Sequence, residues 1–508
     1  MLMHDLVFRG AERQPEKTAF TWIDRSRSLT YAEAAAEIDA FAGALSDLGI
    51  RAGDRVTIFA HNGLDYLLAM FGTWRIGAIS ALVNVRFVDE LDYYFGDHTP
   101  SAVIYTHDMH APVAAAAAKA GVRHLICMDG PQPGAHSLPQ LLAARLSPPV
   151  DPRDEDAIAH LAYTSGTTGK PKGACLKHEP TVRACRCIGE RLRITGADRS
   201  FGPTALSSSY QLVGNLLPQL DRMASTSVMG RWTQVAGWDA LDAAGATMLV
   251  ANPPILAEVL AESRLRGRAP GALRLSLSGG GPVPRELKAG WRDELGLPLV
   301  ESYGQSELGG FFALGLPVLE PDDSRLMRIG PPPPDREVSI VAPDDRPAPA
   351  GAVGEIVLDR GGFMAGYWGR PDKTAEATRG GRLRSGDLGL FDDDGYLVMR
   401  GRRSELITVG GAVWFPRDVE EALARQPGVA QAALVGLADP LLGEVPRAFV
   451  VLEPGATLDA AALKRAIAGD VAYDLEPLAI TALDALPMTP TGKVAKVELA
   501  EKLREKAA

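Results

Sequence analysis

Residues 161–173 concentrate more potential chemistry than any other stretch of this 508-residue chain. They read Leu-Ala-Tyr-Thr-Ser-Gly-Thr-Thr-Gly-Lys-Pro-Lys-Gly, an apolar run followed by two hydroxyl-rich turns. Backbone N–H groups at Gly166 and Gly169 have no Cβ in the way. With the hydroxyls of Thr164, Ser165, Thr167 and Thr168 they make a cradle for phosphate oxygens. Lys170 and Lys172 add positive charge. The spacing is not that of a P-loop: only two residues separate Gly166 from Gly169, and Pro171 follows Lys170 where Ser or Thr belongs. An ordinary P-loop NTPase is therefore disfavoured. So is a flexible linker, which does not follow a buried strand so closely.

Four further stretches carry reactive or ligating groups. Ser278-Gly279-Gly280-Gly281-Pro282 is a glycine-rich strand exit, and a plain structural turn would also explain it. Tyr303-Gly304-Gln305-Ser306-Glu307 puts a ring, a hydroxyl and a carboxylate into one turn. Arg384-Ser385-Gly386-Asp387 is a second acidic turn, unlike the solvent-facing acidic run at 392–394. In Pro487-Met488-Thr489-Pro490-Thr491-Gly492-Lys493, proline and glycine fix a tight loop that projects one ammonium. All nine histidines lie at or before His178, so nothing downstream supplies an imidazole. The nearest approach to a nucleophile elbow, around Ser306, lacks its final glycine. His178-Glu179 has no second histidine for a zinc-binding helix.

These motifs need strands to present them. Apolar β-branched runs predict strands at 56–60, 102–105, 124–128, 157–163, 247–251, 273–278 and 299–303, and helical spacing predicts helices at 31–48 and 238–244. The alternation argues for α/β layers. Three strands run straight into the motifs at Thr164, Gly279 and Gly304. In open α/β sheets ligands sit beyond the carboxyl ends of strands, so distant motifs can converge on one site. A β-rich piece begins near 331–334 and 354–357. The break at 401–405 is sharper, and 406–508 reads as a small α/β unit with helices near 416–425 and 459–468 and strands near 429–435 and 448–451. The expected organisation is a large domain over 1–400, a break at 401–405 and a small domain over 406–508.

Composition narrows the class. The chain is 46% hydrophobic and 23% charged, as soluble globular proteins are. Its net charge of −10 argues against a general nucleic-acid binder. The uncharged stretch at 200–220 is rich in serine, proline and amides and does not read as a membrane span. Residues 1–9 lack a long apolar core, so no secretory signal is expected. Four cysteines without zinc spacing suit free thiols in a reducing cytoplasm.

Taken in order from about residue 30 to Lys493, the motifs resemble those of the adenylate-forming enzymes, the acyl-CoA synthetase superfamily. The resemblance implies ATP-dependent activation of a carboxylate as an acyl-adenylate, followed by transfer to a thiol, with ATP, Mg²⁺ and coenzyme A as the small molecules bound. It implies that Thr164, Ser165, Gly166, Thr167, Thr168, Gly169 and Lys170 hold the ATP phosphates. Gly280, Gly281, Tyr303 and Ser306 would face adenine. Asp387 would take the ribose hydroxyls and Arg402 the ribose or phosphate. Glu307, with Thr164, would hold Mg²⁺. Lys493 would bridge the substrate carboxylate and the α-phosphate. Gly410 and Gly411 would line the pantetheine tunnel, and Ser404 would stand in a hinge at 401–405 that makes the small domain over 406–508 mobile. Serine replaces the family's threonine at Ser306 and Ser385, which keeps a hydroxyl, whereas Ser404 stands where the family often has Asp or Lys.

Two departures bear on the acid. Ser207 and Ser208 replace the family's usual aromatic–histidine pair, and with Gly279 and Gly280 they are expected to leave room in the acyl pocket. Residues 203–210 carry no aspartate, which disfavours an amino-acid substrate. The sequence thus reads as an acyl-CoA synthetase for a medium-sized or aromatic acid. The rivals are an acyl-AMP ligase that passes its product to a carrier protein, and a non-catalytic acyl- or nucleotide-binding relative. Oligomeric state stays open.

Overall fold

The predicted alternation of strands and helices is realised as mixed α/β layers in the computed structural model, which describes residues 1–164, 170–488 and 494–507. The chain forms two units, Met1–Val338 with Leu358–Leu383, and Ser339–Val357 with Arg384–Ala508.

The first unit holds two large sheets. One runs in the order His136–Ser137, His124–Cys127, Ala102–Tyr105, Arg55–Phe59, Ile79–Leu82, Ile158–Tyr163, Gly173–Lys177. It is parallel until its last pair, where the strand leaving the phosphate-type loop returns antiparallel to the strand that enters it. The other runs Ala313–Leu314, Leu299–Tyr303, Leu275–Ser278, Met248–Ala251, Arg199–Gly202, Ser225–Val228, Thr18–Trp22, Arg27–Thr30, parallel in its centre and antiparallel at both ends. Buried parallel strands need apolar side chains on both faces, which is why segments such as Ala102–Tyr105 and Met248–Ala251 read as continuous apolar runs. The helix Tyr31–Asp47 starts at a capping box made by Thr30 and Glu33 and buries Ile38, Phe41 and Leu45 in the main core with Phe71 and Trp74.

Two of the motif-bearing strands, Leu275–Ser278 and Leu299–Tyr303, are parallel neighbours with Ser278 opposite Glu301, so the Gly279 and Gly304 turns leave the same edge. A segment over 364–368 straps the other motif in place. Cys175 N donates to Gly366 O at 2.9 Å, and Trp368 N donates to Gly173 O at 2.8 Å.

The second unit carries most of a four-stranded sheet, ordered Glu337–Val341, Gly354–Arg360, Leu383–Phe391, Leu397–Arg402. Its other sheet is ordered Ala412–Trp414, Ile407–Val409, Gly443–Leu452, Val429–Asp439, with Ala479–Ala482 alongside Gly443–Leu452. The helices Pro416–Ala424 and Ala460–Ile467 contribute Val419, Leu423 and Ile467 to a core with Ile407, Trp414, Leu434 and Val450. Among the described residues no helix is long and apolar enough to cross a membrane.

Candidate active site

The strand Ile158–Tyr163 leaves its sheet at Thr164, and the chain re-enters at Gly173. Thr164 N donates to Lys172 O at 3.0 Å and closes the base of the loop. Ser165, Gly166, Thr167, Thr168 and Gly169 lie outside the described residues. Aromatic side chains hold both ends of the loop. Tyr93 OH donates to Pro171 O, and Lys170 Nζ lies 4.9 Å from the centre of the Tyr93 ring. Tyr163 OH donates to Asp97 Oδ2 at 2.8 Å and lies 2.8 Å from His98 Nδ1, while Arg370 pairs with Asp97. Burial, with Asp97 beside it, pushes the Tyr163 phenol well up. Burial pushes His98 down to about 3, so its ring stays neutral and serves the network rather than a proton transfer. Thr164 Oγ1 is buried and has no hydrogen-bond partner among the described residues. An orphaned hydroxyl at the mouth of a hydroxyl-rich loop fits a phosphate oxygen or a hard cation.

The second part of the site is the turn after Leu299–Tyr303. The Tyr303 ring is stacked on Phe312 with centroids 5.1 Å apart, so the pair forms a platform for a flat ligand. The short helix Ser306–Leu308 packs against the strands Ile158–Tyr163 and Gly173–Lys177, which brings Glu307 to the sheet of the phosphate-type loop. Glu307 Oε1 accepts from Tyr367 OH at 2.6 Å, and Glu307 O accepts from Met364 N at 2.6 Å. Burial, reinforced by the Glu307 carboxylate, pushes the Tyr367 phenol far up, so it remains a donor. Beneath the turn, the buried Arg336 guanidinium donates to Leu308 O at 3.3 Å and to Gly362 O. Glu307 and Thr164 both carry oxygen donors of the kind Mg²⁺ prefers.

The glycine-rich turn after Leu275–Ser278 corrects one expectation. Gly279 leaves no open volume: a Cβ there would lie 2.6 Å from Tyr210 Cε2 and 2.7 Å from Ser302 Oγ. Tyr210 is fixed in that place because its hydroxyl donates to Leu277 O at 2.7 Å. Gly280, at φ +80°, and Gly281 face open space instead. Ser208 Oγ accepts from Tyr210 N at 3.3 Å, so this serine caps the helical segment that carries the ring; Ser207 precedes it, half-buried. That segment contains a π-helical turn, Leu212–Leu216, of the kind found at functional sites. Phe311 lies 6.3 Å from Tyr210, ring to ring, and both border Gly214. Trp232 and Asn252 make other contacts. Trp232 Nε1 donates to Glu258 at 2.6 Å, and Asn252 caps the helix Pro253–Arg266.

In the second unit Asp387 is 4% exposed and pairs with Arg402 at 3.2 Å. Glu355 accepts from Gly386 N at 3.1 Å and pairs with Arg384 and Arg403, so one buried carboxylate anchors the acidic turn. Ser404 sits in the short helix Arg403–Glu405. Gly410 at φ +58° and Gly411 at φ +86° form the two-residue turn of the hairpin Ile407–Val409/Ala412–Trp414, where only glycine and a few polar residues are unstrained. Lys493 lies outside the described residues. The chain on either side of it closes through Ala495 N to Pro487 O at 2.8 Å. Lys496 Nζ lies 2.9 Å from Glu405 and 2.8 Å from Glu420, and these carboxylates outweigh burial and raise its pKa.

Glu355, Tyr367, Tyr210 and Lys496 escaped the sequence reading. Only Lys496 had a usable signal, its place three residues after Lys493.

The family model for AMP-binding enzymes matches residues 7–368, and that for the AMP-binding enzyme C-terminal domain matches residues 418–493. The chain belongs to the AMP-binding enzyme family. The resemblance to the adenylate-forming superfamily holds, and the protein is an AMP-forming acid–CoA ligase that uses ATP, Mg²⁺ and coenzyme A. It is 32% identical over 497 residues to the sulfoacetate–CoA ligase of Cupriavidus necator, covering 97% of this chain and 96% of that protein. It is 32% identical over 494 residues to a feruloyl-CoA synthase of Amycolatopsis, covering 97% of each. Among solved structures, ATP-bound MatB from Rhodopseudomonas palustris superimposes with a TM-score of 0.91 at 27% identity over the full length of both chains. The ligase fold, with its large N-terminal and small C-terminal parts, agrees with the architecture expected from the sequence.

Proposed function

We propose that this ligase activates a medium-sized or aromatic carboxylic acid, and that the residues singled out above carry the roles their motifs imply. The observation that carries the acid class is the aromatic wall of Tyr210 and Phe311 beside the open faces of Gly280 and Gly281. Such a wall rewards apolar surface, at ~25 cal/mol per Å² buried. A relative named for feruloyl-CoA supports an aromatic acid, whereas one named for sulfoacetate marks how far substrates diverge at similar identity.

In the first half-reaction a carboxylate oxygen attacks the α-phosphorus of ATP, and pyrophosphate leaves. In this reading the loop from Thr164 to Lys170 cradles the phosphates. Tyr303, with Ser306, Gly280 and Gly281, seats the adenine. Asp387 accepts from the ribose hydroxyls, and Arg402 orients that carboxylate. Thr164 and Glu307 hold Mg²⁺, which when bound neutralises phosphate charge. Lys493 stands between the carboxylate and the α-phosphate, where negative charge builds. In the second half-reaction the CoA thiolate attacks the acyl carbon and AMP leaves, with Gly410 and Gly411 lining the pantetheine path. The segment 401–405, with Ser404, is the proposed hinge between domains over 1–400 and 406–508. No step needs an imidazole, in keeping with the burial of His98, His160 and His178 as neutral rings. Four free thiols suit action in the reducing cytoplasm.

A panel of acetate, medium-chain and aromatic acids, scored by pyrophosphate release with CoA present, tests the reading. Medium-chain or aromatic acids should lead in kcat/KM. Acetate in first place would overturn the acid class.

A further inference from the structure

Two contacts from separate motifs meet on one side chain that neither motif contains. The Tyr367 hydroxyl donates to Glu307 Oε1 at 2.6 Å. On the same ring, Lys172 Nζ lies 4.3 Å from the centroid, within range of a cation–π contact. The backbone around Tyr367 is fixed from several sides. Ala174 and Tyr367 form a bridge, Trp368 N donates to Gly173 O, and Tyr367 N donates to Thr374 Oγ1 at 2.9 Å. Met364 N in the same strap donates to Glu307 O. The ring is therefore held by the strand that leaves the phosphate-type loop and by the strap, while its hydroxyl reaches the acidic turn.

A glutamate on a short turn rotates freely about its last torsion, because the carboxylate well there is broad. A fixed donor on Oε1 sets the carboxylate plane and leaves Oε2 to meet a cation. Ligating carboxylates are commonly oriented by such outer hydrogen bonds, whose loss costs roughly 10- to 100-fold in metal affinity. We infer that Tyr367 is a positioning residue for the magnesium site, orienting Glu307 through its hydroxyl and seating Lys172 on its ring face. The inference rests on the reading of Glu307 as a cation ligand. Its particular claim is that the hydroxyl and the ring face serve different partners. Tyr367→Phe removes the first and keeps the second, and Tyr367→Leu removes both.

The test is equilibrium binding of Mn²⁺, followed by electron paramagnetic resonance, to the full-length protein saturated with α,β-methylene-ATP, which cannot release pyrophosphate. Binding of the same nucleotide in EDTA is measured in parallel. Tyr367→Phe should weaken Mn²⁺ binding about 10-fold and leave metal-free nucleotide binding within about twofold of wild type. Tyr367→Leu should weaken both. Glu307→Gln should weaken Mn²⁺ binding at least as much as Tyr367→Phe, and adding Tyr367→Phe to Glu307→Gln should cost nothing more. Unchanged Mn²⁺ binding in Tyr367→Phe alongside a weakened Glu307→Gln would overturn the role of Tyr367 alone. Unchanged binding in both would overturn the magnesium reading of Glu307 and the inference with it.

Discussion

Gly279→Ala is the sharpest probe of the acyl wall. The added methyl would stand 2.6 Å from Tyr210 Cε2 and 2.7 Å from Ser302 Oγ. Carbon–carbon contacts settle near 3.5–4.0 Å, so the ring must retreat by roughly 1 Å. It has little freedom to do so, because its hydroxyl is tied to Leu277 O at 2.7 Å and Gly214 lies against its edge. Overpacking of this kind costs about 1–3 kcal/mol, or roughly 5- to 150-fold if the strain is relieved by pushing Tyr210 into the volume an acid would occupy. Gly296→Ala is the control. Its methyl meets nothing, and only the positive φ is strained, at about 1–2 kcal/mol. Acid-dependent pyrophosphate release should show a fall in kcat/KM that is steepest for aromatic acids and smallest for acetate in Gly279→Ala, and a small, acid-independent change in Gly296→Ala. An equal loss for every acid in Gly279→Ala would refute the placement of Tyr210 at the acyl wall.

Ser208→Phe should lose the cap on Tyr210 N and crowd the same wall, penalising large acids more than acetate in the same assay. Lys493→Ala should slow adenylate formation ~100- to 1000-fold while sparing thiol transfer from supplied acyl-AMP, because charge is neutralised only while the α-phosphate is attacked; a normal rate of adenylate formation would remove Lys493 from that role. His98 should make folding pH-dependent. Its pKa is about 3 when folded and about 6.5 in the unfolded chain, so the unfolded state binds the proton first and stability falls as pH drops from about 6.5 toward about 3. The slope is about 1.4 kcal/mol per pH unit for one such histidine, and urea unfolding of His98→Gln between those pH values should be flatter by that amount. An unchanged slope would show that His98 titrates alike in both states.

Elements whose boundaries coincide with a change in periodicity were legible in the sequence. The strands Ala102–Tyr105 and Leu299–Tyr303 fall where their apolar runs predict them. The helix predicted over 238–244 is longer, Gln234–Ala243, because Gly237 reads as a helix breaker. In the fold that glycine is required: a Cβ would lie 2.4 Å from the Trp232 ring packed against it. The π-turn Leu212–Leu216 leaves no trace in apolar spacing, since it is set by how Tyr210 and Gly214 meet Phe311 and Leu277. The same holds at the site. Thr164, Tyr303, Glu307 and Asp387 could be proposed because their neighbours form motifs. Tyr210 could not, because its contact with Gly279 joins residues 69 positions apart. The expectation of free space at Gly279 failed for that reason: a glycine shows that a side chain is missing, not which neighbour has taken its place.

The central claim, ATP-dependent formation of an acyl-CoA through an adenylate, is tested most directly by product analysis with an aromatic acid in the presence and absence of CoA. The account predicts AMP, pyrophosphate and acyl-CoA in equal amounts when CoA is present. Without CoA, it predicts an enzyme-bound acyl-AMP and little turnover. ADP with inorganic phosphate, or AMP and pyrophosphate formed at the same steady rate whether or not CoA is added, would contradict it.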